Sequence, residues 1–255
     1  MSVTTEKTKA ERGGVGETVK VVIQALALAF FIRTFLFQPF NIPTGSMQNT
    51  LLIGDYLFVS KYAYGYSRYS FPFGLPPFAG RVWGAEPKRG DIVVFKLPSD
   101  PSVDYVKRLI GLPGDTVQVR GGALFLNGVE VKREKLPDTT TDSQFGGSTK
   151  VGRWKETLPN GVSYETLDMG NFGADDTPVF EVPAGHYFMM GDNRDNSSDS
   201  RFPSVPGQPG VGFVPFENIE GRAEIIFFSV KDGAPAWMFW QWPWTVRWNR
   251  LFSLL

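Results

Sequence analysis

The feature that most constrains this chain is an apolar run near its start. Residues Val19 to Phe37 read VKVVIQALALAFFIRTFLF, interrupted only by Lys20, Gln24, Arg33 and Thr34. As a helix this run extends about 28 Å, close to the hydrocarbon thickness of a bilayer. Its uncharged centre, Val21 to Ile32, is shorter and also suits the apolar region of a cleavable secretion signal. Ala25-Leu26-Ala27 and Ala27-Leu28-Ala29 even have the small-x-small form of a cleavage site. They lie mid-run, however, with Phe30, Phe31 and Ile32 following, where no polar, helix-breaking segment would expose the bond. A retained membrane anchor over 19–37 therefore fits better than a cleaved signal or a buried helix of a soluble domain. Lys7, Lys9, Arg12 and Lys20 come first, and after Arg33 no positive charge appears until Lys61. The positive-inside bias predicts a cytoplasmic N-terminus, residues 1–18, with residues 38–255 across the membrane and Arg33 snorkelling to the outer interface.

Those remaining residues suit a mainly β fold. The 28 Gly and 19 Pro among 255 residues, with 15% aromatics, favour short strands between turns. The segments 91–96, 103–110, 186–190 and 222–230 read as strands. Around Gly121-Gly122 and Asn127-Gly128 the segment DTVQVRGGALFLNGVEV has the pattern of consecutive hairpins. Residues 135–180 are polar and rich in Gly, Thr and Asp, which suggests an elaborated insertion. The expected division is a core of 38–115 with 184–233, an insertion of 116–183 and a Trp-rich tail of 234–255. Residues 62–88 hold many aromatics and few charges, and suit either a packed loop or a ribbon touching lipid. The tail, with five Trp in its last 19 residues, leaves the same choice between core packing and interfacial insertion. Charge is balanced, 26 basic against 26 acidic residues, so no basic excess points to nucleic acid. Cysteine is absent and His186 is the sole histidine, which excludes disulfides, thiolate sites and His-rich metal centres.

Three segments carry candidate chemistry. Directly after the apolar run, Pro43-Thr44-Gly45-Ser46-Met47 can present the Ser46 hydroxyl on a sharp turn. It is neither a G-x-S-x-G elbow nor an S-x-x-K motif. A nucleophilic serine needs a base, and His186 lies in a strand with no acidic residue nearby to orient it. A lysine serves only if burial lowers its pKa by about 3 units, roughly 4 kcal/mol. Lys107 qualifies: two-residue alternation in Asp104-Tyr105-Val106-Lys107-Arg108-Leu109 puts it on one face with Tyr105 and Leu109. Third, Gly191-Asp192-Asn193-Arg194-Asp195-Asn196-Ser197-Ser198-Asp199-Ser200-Arg201 follows an apolar strand. Its spacing is not that of a calcium loop, and its paired Asp and Arg suit a rigid ion-paired brace. Taken singly, these three have ordinary readings: a turn serine, a snorkelling lysine and a solvated loop.

Together, in this order, the blocks IPTGSM, KRGDIVVFK, DYVKRLIGLPGD and GDNRDNSSDSR resemble those of bacterial type I signal peptidases over nearly the whole chain. The resemblance implies a β fold of antiparallel sheets with a β-rich insertion, behind one transmembrane helix. It implies a Ser–Lys endopeptidase of the bacterial inner membrane, with its catalytic part periplasmic, that removes signal peptides from exported preproteins after small-x-small sites. No metal, cofactor or nucleic acid is implied; the partners are preproteins and the lipid bilayer. By motif position Ser46 is the nucleophile and Lys107 the general base, with Thr44 and the Ser46 amide as the oxyanion hole. Ser197 orients the lysine, and Asp199 with Arg201 supports the site. Ile42, Met47, Leu51, Tyr105 and Val106 line the substrate pockets. Asn49 departs from the proline that the family usually carries there. The rivals are another Ser–Lys processing peptidase of the same fold, and a non-catalytic membrane-anchored binding module.

Overall fold

The computed structural model describes residues 14–71, 74, 77–142, 148–170, 174–203, 210–231 and 236–255. The early basic residues Lys7, Lys9 and Arg12 lie outside the described residues, as do 143–147 and 171–173 of the expected insertion. So do residues 72–73 and 75–76 of the aromatic segment and 234–235 of the tail.

The chain begins with helix α1 (Val15–Phe31), which runs on through a wider π turn, Ile32–Leu36. The helical stretch Val15–Leu36 has a mean hydropathy of 1.9 and starts four residues earlier than the apolar pattern suggests. At about 1.5 Å per residue its 22 residues reach about 33 Å. No α1 side chain is buried against the rest of the protein, as befits a helix whose apolar faces meet lipid.

Strands follow in the order β1 (Phe37–Asn41), β2 (Asp55–Ser60), β3 (Tyr66–Ser67), β4 (Arg81–Val82), β5 (Ile92–Leu97) and β6 (Asp100–Gly111). Next come β7 (Thr116–Arg120), β8 (Ala123–Leu126), β9 (Val129–Glu130), β10 (Lys132–Asp142), β11 (Ser148–Thr157) and β12 (Ser163–Asp168). The chain closes with β13 (Phe180–Glu181), β14 (His186–Met190), β15 (Val214–Pro215), β16 (Ile219–Ser229), the short helix α2 (Trp242–Thr245) and β17 (Ser253–Leu254). The largest sheet has the order β1-β2-β16-β5-β6-β14-β15, with β17 alongside β16. Smaller sheets are β13-β7-β8-β9, β10-β11-β12 and the ribbon β3-β4. The fold is thus mainly antiparallel β behind one apolar helix.

Packing explains the sequence patterns. In β5, Val93, Phe95 and Leu97 enter one apolar cluster while Ile92 and Val94 enter another on the opposite face. A strand buried on both faces reads as continuously apolar instead of alternating. The β7–β8 and β8–β9 turns carry positive φ at Gly121, Gly122, Asn127 and Gly128, the conformation that tight hairpins require. The described parts of the polar segment, 132–142 and 148–168, form three strands, with Val151, Tyr164 and Leu167 among their buried apolar side chains. In the tail, Trp237, Trp240, Trp244 and Trp248 are exposed, whereas Trp242 docks on Phe228 with ring centroids 5.0 Å apart. Core packing therefore describes only one of the five.

Candidate active site

Ser46 is the middle residue of a 3-10 turn, Gly45–Met47, that follows β1. The turn is pinned from two sides. The Leu51 amide donates to the Met47 carbonyl at 2.8 Å. From the 191–201 loop, the Asn193 amide donates to the Ser46 carbonyl at 3.1 Å and its side-chain Nδ2 to the Gly45 carbonyl at 3.2 Å. Gly45 is not in a left-handed conformation. A Cβ there would stand 3.1 Å from Gln48 Oε1, so that side chain would have to give by a few tenths of an ångström. Asn49 donates to Glu165 Oε2 of β12 at 3.0 Å, a tether where a proline would supply stiffness.

Lys107 arrives from β6, 61 residues away in sequence, and its Nζ donates to Ser46 Oγ at 2.5 Å. The lysine is 3% exposed, with Nζ 5.3 Å from the Tyr105 ring centroid, so Tyr105 and Lys107 do share a face. Burial lowers its pKa from 10.5 to about 8, against the pull of Asp199 and Asp192 and with help from Arg201. Both acids are compensated. Asp192 takes two bonds from Arg108, at 2.8 and 2.7 Å. Asp199, fully buried, accepts from Arg201 at 2.9 and 3.0 Å and from the Gly191 amide at 3.0 Å. Burial penalises the Asp199 carboxylate, yet Arg201 and these bonds hold its pKa below the ordinary range. With each carboxylate tied to its own guanidinium, the lysine sees nearly neutral pairs and can give up its proton.

The two residues open into a cleft of about 490 Å³. Thr44 is exposed on its wall, and Ile42, Met47, Tyr105 and Val106 line it. Strand β14 pairs with β6 only from Arg108 onward, so the edge of β6 over Val103–Lys107 faces the cleft. Two expectations need correction. Leu51 is fully buried and does not reach the cleft; it packs behind Met47 with Leu57 and Ile226. Ser197 does not bond Lys107: its hydroxyl is buried and has no hydrogen-bond partner among the described residues. It is directed at Gly191 instead, where a Cβ would come within 2.2 Å of it.

Sequence reasoning missed a second layer. Glu156 of β11 accepts from Arg194 at 2.5 Å and from the Tyr164 hydroxyl at 2.8 Å, all buried, while the Arg108 guanidinium lies 4.2 Å from the Tyr164 ring centroid. No local pattern marks Glu156 or Tyr164, ordinary residues of polar strands, whereas Arg194 belongs to the 191–201 block whose paired Asp and Arg already suggest a brace. His186 begins β14 and its Nδ1 donates to the Ala184 carbonyl at 3.0 Å, a local backbone contact.

Residues 15–228 match the family model described as signal peptidase, peptidase S26. The chain belongs to this family. Signal peptidase I of Rickettsia conorii is 44% identical over 215 residues, covering 81% of this chain and 77% of that one. That of Rickettsia canadensis is 46% identical over the same length and shares. That of Rickettsia akari is 41% identical over 248 residues, covering 90% of this chain and 89% of its own. Among solved structures, a signal peptidase I from Enterococcus faecalis aligns with a TM-score of 0.31 and 28% identity, over 54% of this chain and 97% of that one. The chain is a serine peptidase that cleaves signal peptides, anchored in the membrane by its N-terminal helix.

Proposed function

We propose that Ser46 and Lys107 are the catalytic dyad of this peptidase. The observation that carries the reading is the 2.5 Å contact between a serine hydroxyl and an almost fully buried lysine amine. Neutral Lys107 takes the hydroxyl proton as Ser46 Oγ attacks the scissile carbonyl carbon. Negative charge gathers on the carbonyl oxygen. The Ser46 amide, early in its 3-10 turn and ahead of the first intrahelical acceptor, and the Thr44 hydroxyl are the donors that meet it. One such donor is worth about 3–4 kcal/mol. The ammonium of Lys107 then protonates the leaving amine, and the amine so regenerated activates a water that hydrolyses the acyl-enzyme.

Ile42, Met47, Tyr105 and Val106 form pocket walls for small side chains, the chemistry that would select small-x-small sites. Leu51 backs the Met47 wall, and Asp199 with Arg201 and Ser197 supports the lysine's surroundings. An extended substrate has the open edge of β6 to pair with. The N-terminus is cytoplasmic and the catalytic body lies across the bacterial inner membrane, at the periplasmic face, supported by the early basic residues. Ser46 follows the helical stretch by ten residues, which puts the cleft close to lipid, and the exposed tryptophans of the tail favour the same surface. The catalytic core is 38–115 with 184–233, and 116–183 is its insertion. Incubation of the purified chain with an Ala-x-Ala preprotein tests the dyad. Ser46→Ala and Lys107→Met should each abolish cleavage while the fold persists, and retained cleavage in either variant would refute the assignment.

A further inference from the structure

The anchor and the catalytic body meet at a joint built from aromatic side chains. Among the described residues none of α1 is buried, so the anchor's angle is left to its junction with the body. The chain leaves it through the π turn Ile32–Leu36, the kind of local irregularity at which a helix bends. The ribbon β3–β4 reaches across at this point. The Tyr66 hydroxyl donates to the Phe35 carbonyl at 2.7 Å. The Phe35 ring stands edge-on to those of Tyr66 and Phe71, with centroids 6.0 and 5.9 Å away. The Lys61 amide donates to the Leu36 carbonyl at 3.0 Å.

The ribbon is itself fixed to the body. Arg81 donates to the carbonyls of Gly65 and Phe216 at 2.8 Å each, and also to that of Ile219. Its guanidinium covers the Phe216 ring at 4.6 Å. Buried Lys61 donates through Nζ to the Ser70 carbonyl at 2.6 Å. Ser67 and Ser70 cap each other across the turn between them. At Gly65 a Cβ would sit 2.4 Å from the carbonyl oxygens of Val82 and Trp83, so the ribbon closes tightly. From body to ribbon to Phe35, every link is a hydrogen bond or a ring contact.

We propose that this aromatic ribbon is a brace that sets the angle between anchor and body, with Tyr66 as a positioning residue for membrane-tethered preproteins. The inference rests on the peptidase reading above. A preprotein's own apolar segment lies in the same bilayer, so its cleavage bond arrives at a set depth, and the cleft must be held at matching height and tilt. A soluble peptide with the same cleavage site approaches from any direction and does not need the brace.

The test uses the full chain in proteoliposomes with two substrates, a co-reconstituted preprotein and a soluble peptide carrying its cleavage site. Tyr66→Ala should slow tethered cleavage by about tenfold or more, while kcat/KM for the peptide stays within about twofold of wild type. Tyr66→Phe, which loses only the hydroxyl, should fall between. A spin-label pair on Leu26 and Tyr56 should report a broader distance distribution in Tyr66→Ala. Equal slowing of both substrates, as a folding defect would give, or no slowing of either, would overturn the brace. A wild-type chain that cleaves neither substrate would instead sink the peptidase reading.

Discussion

A lysine buried in the native state should cost stability when it is charged, and Lys107→Met tests this directly. Burial takes the Lys107 pKa from 10.5 to about 8. At about 1.4 kcal/mol per pH unit, this amounts to about 3 kcal/mol. Its sign follows from proton counting. Between these two values the unfolded chain binds a proton that the folded protein does not, so stability rises with pH across that window. Below pH 8 both states are protonated and the native state carries the whole penalty. Methionine fills a similar volume without a charge. It forfeits the hydrogen bond to Ser46, about 1 kcal/mol, which the half-buried hydroxyl partly recovers from water. At pH 7 the variant should therefore be more stable by about 2–3 kcal/mol, or about 4–12 °C in Tm for a chain of this size. At pH 10 the penalty relieved is under about 1 kcal/mol. Thermal unfolding of both proteins in detergent at pH 7 and pH 10 gives the comparison, and other titrating groups cancel in the difference. A variant no more stable than wild type at pH 7, or a difference that ignores pH, would refute the claim that burial charges this amine with a desolvation cost.

Two further outcomes follow from the same geometry. On the proposed dyad only neutral Lys107 would accept the serine proton, so cleavage of a soluble peptide should fall about tenfold for each pH unit below about 8 and level off above it; a rate that stays flat from pH 5 to 9 in a chemistry-limited assay would contradict this. Gly191→Ala puts a Cβ 2.2 Å from Ser197 Oγ and 2.5 Å from the Ser46 carbonyl oxygen. Displacing the backbone of the proposed nucleophile should lower kcat by about a hundredfold with the circular dichroism spectrum unchanged, and wild-type turnover would show that the turn tolerates the shift.

Local pattern alone determined the anchor and most strands, since apolar length and side-chain alternation are properties of contiguous residues. The apolar run from Val19 has the length of a bilayer-spanning helix, although the helical stretch ends at Leu36 and Phe37 already opens β1, and Gly121-Gly122 and Asn127-Gly128 mark turns of the chain. Strand patterning also set Lys107 beside Tyr105. What it did not reach was any quantity that depends on two separate elements. The resemblance named Ser46 and Lys107, but their 2.5 Å approach and the drying of that amine exist only once β6 and the turn after β1 are packed together. Packing likewise decided that Leu51 backs the cleft wall without lining it, and that the Ser197 hydroxyl turns to Gly191. It also joined Arg194 of the ion-paired loop to Glu156 and Tyr164, which come from polar strands with no visible signature. The reason is physical: alternation records which side of a layer a residue faces, whereas distance, dielectric and hydrogen-bond partner are set by what the layer is packed against.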